Sequence, residues 1–151
     1  MRQPHRRPAM LLNIPPILSP DFLWTLSAMG HGDDIVIVDA NFPATTLNTR
    51  CHRLDGISAT EVLKAVLSVL PLDAYVPDPA LVMEVVDEPD TVPSIVAEFQ
   101  SIIAAASDNL VTVGKLERFD FYEHARSAFA IVQTGETRLY GNIILKKGVI
   151  R

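Results

Sequence analysis

A single cysteine, Cys51, stands in the 151 residues, so no disulfide can form within the chain. A reducing cytoplasm is the simplest compartment for such a composition. Positive charge is scarce too: 13 Lys and Arg face 18 Asp and Glu, a net charge of −5. Nucleic acid is thereby excluded as the main partner, because phosphate binding needs concentrated Lys and Arg. No apolar run approaches the roughly 20 residues that cross a bilayer, so no membrane partner is expected. His5, His31, His52 and His124 are scattered without metal-ligand spacing, and no metal site is expected. The chain also lacks a P-loop, G-x-G-x-x-G, H-E-x-x-H and C-x-x-C, so no cofactor is expected. None of its serines sits in a nucleophile elbow.

What is abundant is apolar side chain, 48% of the sequence, enough for a real core. The length fits one domain, assigned to residues 10–151. The basic, Pro-rich opening from Met1 to Pro8 has no apolar centre and reads as a flexible extension over residues 1–9. Ser19, Pro20 and Asp21 suit a helix start. Phe22, Leu23, Leu26 and Met29 form one face, with Gly30 as the stop. Ile35 to Val38 is β-branched without alternation, the pattern of a strand covered on both faces. Ser58 and Glu61 have capping-box spacing for a helix from Ala59 to Leu70. Further strands are predicted over 81–86, 110–113, 128–133 and 142–146, and further helices over 93–106 and 117–126. Alternating strands and helices give an α/β layered domain. The last two strands are joined by too few residues for a helical crossover, so the sheet is expected to be mixed.

Three places could carry chemistry. His31 lies between Gly30 and Gly32, where a ring is uncrowded and can exchange protons near neutral pH. Its plainer reading is a histidine capping a tight turn. Asp39 follows the Ile35–Val38 run, at a strand's carboxyl end where ligand crevices form. Its plainer reading is an Asx turn before Pro43. Tyr140 and Asn142 share a face if the backbone is extended, with Gly141 leaving room between them. A phenol and an amide both donate and accept, which suits a polyhydroxylated ligand. Otherwise the segment is a turn and an edge strand. Arg118 offers a planar fork for hydroxyls or a surface salt bridge. Phe119, Phe121 and Tyr122 read as packing residues, Lys146 and Lys147 as a solvated strand end, and His52 and His124 as surface residues. His31 and Asp39 are eight residues apart, roughly 26 Å if extended. Either the intervening turn folds back or the two serve sites in neighbouring subunits.

Several blocks, in order, resemble the RbsD/FucU family of sugar mutarotases. They are Leu18-Ser19-Pro20, Met29-Gly30-His31-Gly32-Asp33, Asp39-Ala40-Asn41-Phe42-Pro43, Glu117-Arg118-Phe119-Asp120-Phe121-Tyr122-Glu123, and Thr134-Gly135-Glu136 with Tyr140-Gly141-Asn142. The Phe-Tyr-Glu and Tyr-Gly-Asn forms are closer to the fucose branch than to the ribose branch. The resemblance implies a three-layer α/β/α sandwich with a central mixed sheet. It implies a ring-shaped homo-oligomer, commonly a decamer, with sites at subunit boundaries. It implies His31 as the proton-transfer residue, with Asp39, Arg118, Tyr140 and Asn142 holding a monosaccharide such as L-fucose; by its chemistry Tyr140 could also relay a proton, and Gly141 belongs to the same substrate-binding segment. The implied activity is cofactor-free anomer interconversion. A D-ribose-type pyranase and a non-catalytic sugar-binding accessory protein are the alternatives.

Overall fold

Ser19 accepts a hydrogen bond from the Phe22 amide at 3.3 Å and so caps α1 (Pro20–Ala28). The computed structural model describes residues 11–107 and 110–151. The extension expected over residues 1–9 lies outside them. After α1 come β1 (Asp34–Val38), α2 (Ala44–Leu47), β2 (Cys51–Leu54), α3 (Ala59–Leu67) and β3 (Ala80–Met83). Then follow α4 (Ser94–Ala106), β4 (Val113–Leu116), α5 (Arg118–Ser127), β5 (Ala130–Thr134) and β6 (Ile143–Lys146). Among the described residues no helix is long and apolar enough to cross a membrane.

The strands form one sheet in the order β2-β5-β1-β6-β3-β4. β1 runs parallel to β5, β5 to β2, and β3 to β4, while β6 is antiparallel to both β1 and β3. The sheet is therefore mixed, and β6 alone among its strands is reversed. The last two strands are not neighbours, however. β1 lies between them, so the short β5–β6 connection crosses the end of β1.

Alternate strand residues face opposite sides. Ile35, Ile37, Val132, Ile143 and Leu145 pack with Phe22, Val62, Leu63, Phe99 and Ile103 from α1, α3 and α4. Val36, Val38, Ile131 and Ile144 pack with Ala44, Phe121 and Ala125 from α2 and α5. Helices thus cover both faces, in three layers. All of Ile35–Val38 is buried, which is why that run shows no alternation.

Several boundaries differ from the sequence reading. The strand expected at 110–113 lies at β4, and Leu110 is 99% exposed. Gly114 and Lys115 mask this strand, yet pairing with β3 requires the glycine. A Cβ there would come within 2.8 Å of Asp78 and Leu81 side-chain atoms. The strand expected over 81–86 ends at Met83. The helix expected to reach Leu70 ends at Leu67, although the Leu70 amide still bonds to Val66 O at 2.9 Å. Gly30 is not the left-handed stop of α1. Met29 caps the helix in an extended conformation, and the positive φ, 86°, belongs to Gly32. Lys146 and Lys147 are not a solvated strand end. Lys147 Nζ donates to Leu26 O and Met29 O at the carboxyl end of α1, and Lys146 Nζ pairs with Asp34 at 3.0 Å.

Candidate functional site

Parallel strands leave their ligand crevices outside their carboxyl ends. Here that edge collects Asp39 after β1, Met83 closing β3, Arg118 opening α5 after β4, and Asn142 just before the reversed strand β6. A cleft of about 200 Å³ opens there, lined by Asp39, Phe42, Met83, Arg118, Tyr122, Tyr140 and Asn142 among others. Its volume lies below the roughly 300–1,000 Å³ of drug-sized pockets and suits a small molecule. A larger cavity of about 620 Å³ lies away from it, between Leu70, Tyr75, Ile103 and Val149.

Asp39 is 5% exposed and fully engaged. Its Oδ1 accepts from the Asn41 amide at 3.0 Å, the Asx turn of the plainer reading. Its Oδ2 accepts from Asn142 Nδ2 at 3.2 Å, and its own amide donates to Asn142 Oδ1 at 2.8 Å. Burial pushes the Asp39 carboxyl above the usual carboxylate range, and the surrounding donors only partly oppose it. Aspartate and asparagine thus form a reciprocal pair at the cleft floor.

Arg118 does not form the surface salt bridge of the plainer reading. Its Nε is buried with no hydrogen-bond partner, and its guanidinium lies 4.6 Å from the Phe119 ring centroid. A buried unpaired donor is costly. Tyr122 stands one helical turn on, on the same face. It packs on Phe42, as expected of a packing residue, and also lines the cleft. Its spacing of four from Arg118, already a candidate, was the signal that could have found it.

Tyr140 and Asn142 share the cleft, but not through an extended backbone. Tyr140 is left-handed at φ 65°, and its hydroxyl accepts from the Val86 amide at 3.1 Å. The phenol proton is therefore free to point elsewhere. Gly141 does not leave room in the crevice. A Cβ there would lie 2.9 Å from Ile95 Cδ1 and 3.0 Å from Glu136 Cγ, so the missing side chain permits close packing behind the site.

His31 sits at the opposite edge of the sheet. It precedes β1 whereas Asp39 follows it, and five strand residues span about 17 Å. The turn does not fold His31 back onto Asp39. His31 Nε2 instead donates to Asp73 Oδ1 at 2.9 Å, and its ring packs on Tyr75 at 5.3 Å. The histidine side chain is 48% exposed and the aspartate 2%. A carboxylate acceptor fixes a proton on Nε2. Asp73 went unseen in sequence because 42 residues separate the pair; its one signal was a carboxylate inside the apolar Pro71-Leu72 stretch. His52 is half-buried rather than a surface residue, 2.6 Å from the Thr25 hydroxyl with its ring on Phe22. Among the described residues no cluster of three or more His, Cys, Asp or Glu could hold a metal ion.

Residues 12–150 match the model of the RbsD / FucU transport protein family. The fucose mutarotase of Homo sapiens is 47% identical over 147 residues, covering 93% of this chain and 94% of that protein. The L-fucose mutarotase of Haemophilus influenzae is 45% identical, covering 93% and 97%. The crystal structure of the fucose mutarotase from Streptococcus pneumoniae in complex with L-fucose superposes with a TM-score of 0.87 at 45% identity, covering 93% of this chain and 100% of that one. RbsD of Bacillus subtilis, complexed with D-ribose, shares the fold alone: TM-score 0.69 at 19% identity, covering 89% and 95%. With that span of sequence and the same layered sheet, this chain belongs to the RbsD/FucU family.

Proposed function

We propose that this chain is a mutarotase of L-fucose, an isomerase that interconverts the sugar's anomers without a cofactor. The cleft carries the reading: an aspartate–asparagine pair, a guanidinium with a buried unpartnered Nε and two phenols converge on a space fit for one small sugar. The likeness to proteins named fucose mutarotases narrows the sugar to L-fucose.

The reaction asks only for proton handling and positioning. The anomeric hydroxyl loses its proton, the C1–O5 bond breaks with its electron pair going to O5, and O5 takes up a proton. C1 becomes an aldehyde, turns about C1–C2, and is attacked again by O5 on its other face. A positioned acid–base group contributes on the order of 10²–10⁴-fold to such a step. In this reading Asp39, Asn142 and Arg118 hold the ring hydroxyls, with Gly141 seating the Asn142 backbone. Tyr140 has an unshared phenol proton to deliver, and Tyr122 stands beside it.

His31 is the second proton-exchanging group, supplied by a neighbouring copy. The opposed positions of His31 and Asp39 along β1 support this, since one chain cannot bring both to one sugar. A ring-shaped homo-oligomer, a decamer, with sites at its subunit boundaries satisfies the geometry. A lone, partly buried Cys51 suits a cytoplasmic setting.

Saturation-transfer NMR on equilibrated sugars tests the proposal. Anomer exchange of L-fucose, well above the uncatalysed rate and faster than that of D-ribose, is expected. Faster exchange of D-ribose would make the chain a pyranase. Binding of L-fucose without exchange would make it an accessory protein.

A further inference from the structure

We propose that Glu136 is a positioning residue of this cleft: its buried carboxylate clamps the β5–β6 connection and seats the turn that carries Tyr140 and Asn142. The inference rests on the mutarotase reading for its kinetic consequences only.

Glu136 touches none of the groups that line the cleft floor, yet it is 5% exposed, an unusual place for a carboxylate. Every part of it is used. Its amide donates to Thr134 Oγ1 at 3.2 Å, and that hydroxyl donates in turn to Val38 O at 2.7 Å. Its carbonyl accepts from the Ala40 amide at 2.8 Å, directly beside Asp39. Its carboxylate accepts from the Arg138 amide at 3.3 Å and from the Arg138 guanidinium at 3.2 and 3.3 Å. Arg138 is itself held from the far side by Glu98 of α4.

The geometric consequence falls on the next turn. Gly141 lies against the Glu136 stem, so closely that a Cβ would be 3.0 Å from Cγ. Tyr140, immediately before it, adopts a left-handed φ that a non-glycine residue avoids unless its surroundings enforce it. The Val86 amide holds the phenol oxygen on one side, and the Glu136 stem lies against the following residue, Gly141. Glu136 therefore joins three pieces that sequence keeps apart: its backbone holds the end of β1, its carboxylate reaches α4 through Arg138, and its stem backs the Tyr140–Asn142 turn. A loosened clamp would leave the fold's layers in place and let the two sugar-facing side chains drift. Misplacement on the scale of 1 Å costs up to about 10²-fold in rate.

The test compares the intact oligomer with Glu136→Gln, Glu136→Ala and Arg138→Gln, using L-fucose exchange by NMR and hydrogen–deuterium exchange. Glu136→Gln should lower kcat about tenfold while raising KM by less than about threefold, with Glu136→Ala worse than Glu136→Gln. Amides of residues 137–142 should exchange at least about tenfold faster, with those of β1 and α4 unchanged. Parental kcat and KM in both Glu136 variants, measured where they are folded, overturn the proposal whatever the exchange shows. If both fail to fold, Arg138→Gln carries the same two readouts. A parental chain that leaves L-fucose unexchanged sinks the mutarotase reading instead. The clamp is then decided by hydrogen exchange alone, and unchanged protection at 137–142 overturns it.

Discussion

The two edges of the sheet hold carboxylates of opposite character. Burial raises the Asp39 carboxyl. Burial also acts on Asp73, but the His31 ring and the Tyr75 and Ala74 amides outweigh it and hold that carboxyl below its usual range. A carboxylate lowered in the folded state stabilises fully above its unfolded value and loses that contribution as pH falls through its folded value. Asp73 therefore adds to stability at neutral pH and withdraws it in acid, while Asp39 opposes folding at neutral pH and ceases to as it protonates. Asp73→Asn keeps an acceptor for His31 Nε2 but removes the charge. It is expected to lower kcat for L-fucose by roughly 10- to 10²-fold with little change in KM, and to lessen the loss of stability on acidification. Parental kcat by NMR, with the same acid unfolding profile, would show that Asp73 is only a structural partner of the histidine.

Among the elements, the β5–β6 connection decides most about the site. It is short, it must cross the end of β1, and it brings Asn142 to Asp39 across 103 residues of sequence. Gly141 packs tightly within this crossing. Gly141→Ala is accordingly expected to destabilise the fold by about 1–3 kcal/mol, as overpacking does. Ile95→Val removes Cδ1, the atom 2.9 Å from the added methyl. The double variant should be more stable than the sum of the two single changes, a coupling read from denaturant midpoints. Strict additivity would place the cost elsewhere in the turn.

At the scale of the molecule, one chain presents two half-sites, His31 with Asp73 at one sheet edge and the Asp39 cleft at the other. In the assembly proposed above, each needs the opposite edge of a second copy to complete a site. Subunits carrying His31→Ala and subunits carrying Asn142→Ala should each exchange L-fucose poorly. Randomly co-assembled at equal ratio, they should recover about a quarter of parental activity, because one site in four joins an intact histidine to an intact cleft. No recovery in mixed oligomers of confirmed composition would mean that each site is built within one chain.

The elements were legible in sequence wherever the cause is local. Ser19-Pro20-Asp21 starts α1 through capping and charge, Ser58 and Glu61 start α3, and the unbroken Ile35–Val38 run announces a strand buried on both faces. β4 escaped because Gly114 and Lys115 answer to its partner strand, not to an apolar pattern of their own. The residues of the cleft were legible mostly as types: Asp39, Arg118, Tyr140 and Asn142 by polarity and by family resemblance, Tyr122 only once Arg118 was seen to begin a helix. What tertiary structure alone decided is which of them meet. The insertion of β1 between β5 and β6, the pairing of His31 with Asp73, and the left-handed Tyr140 depend on contacts between sequence-distant groups. Packing of two apolar faces against one sheet sets those contacts, and no local propensity encodes them.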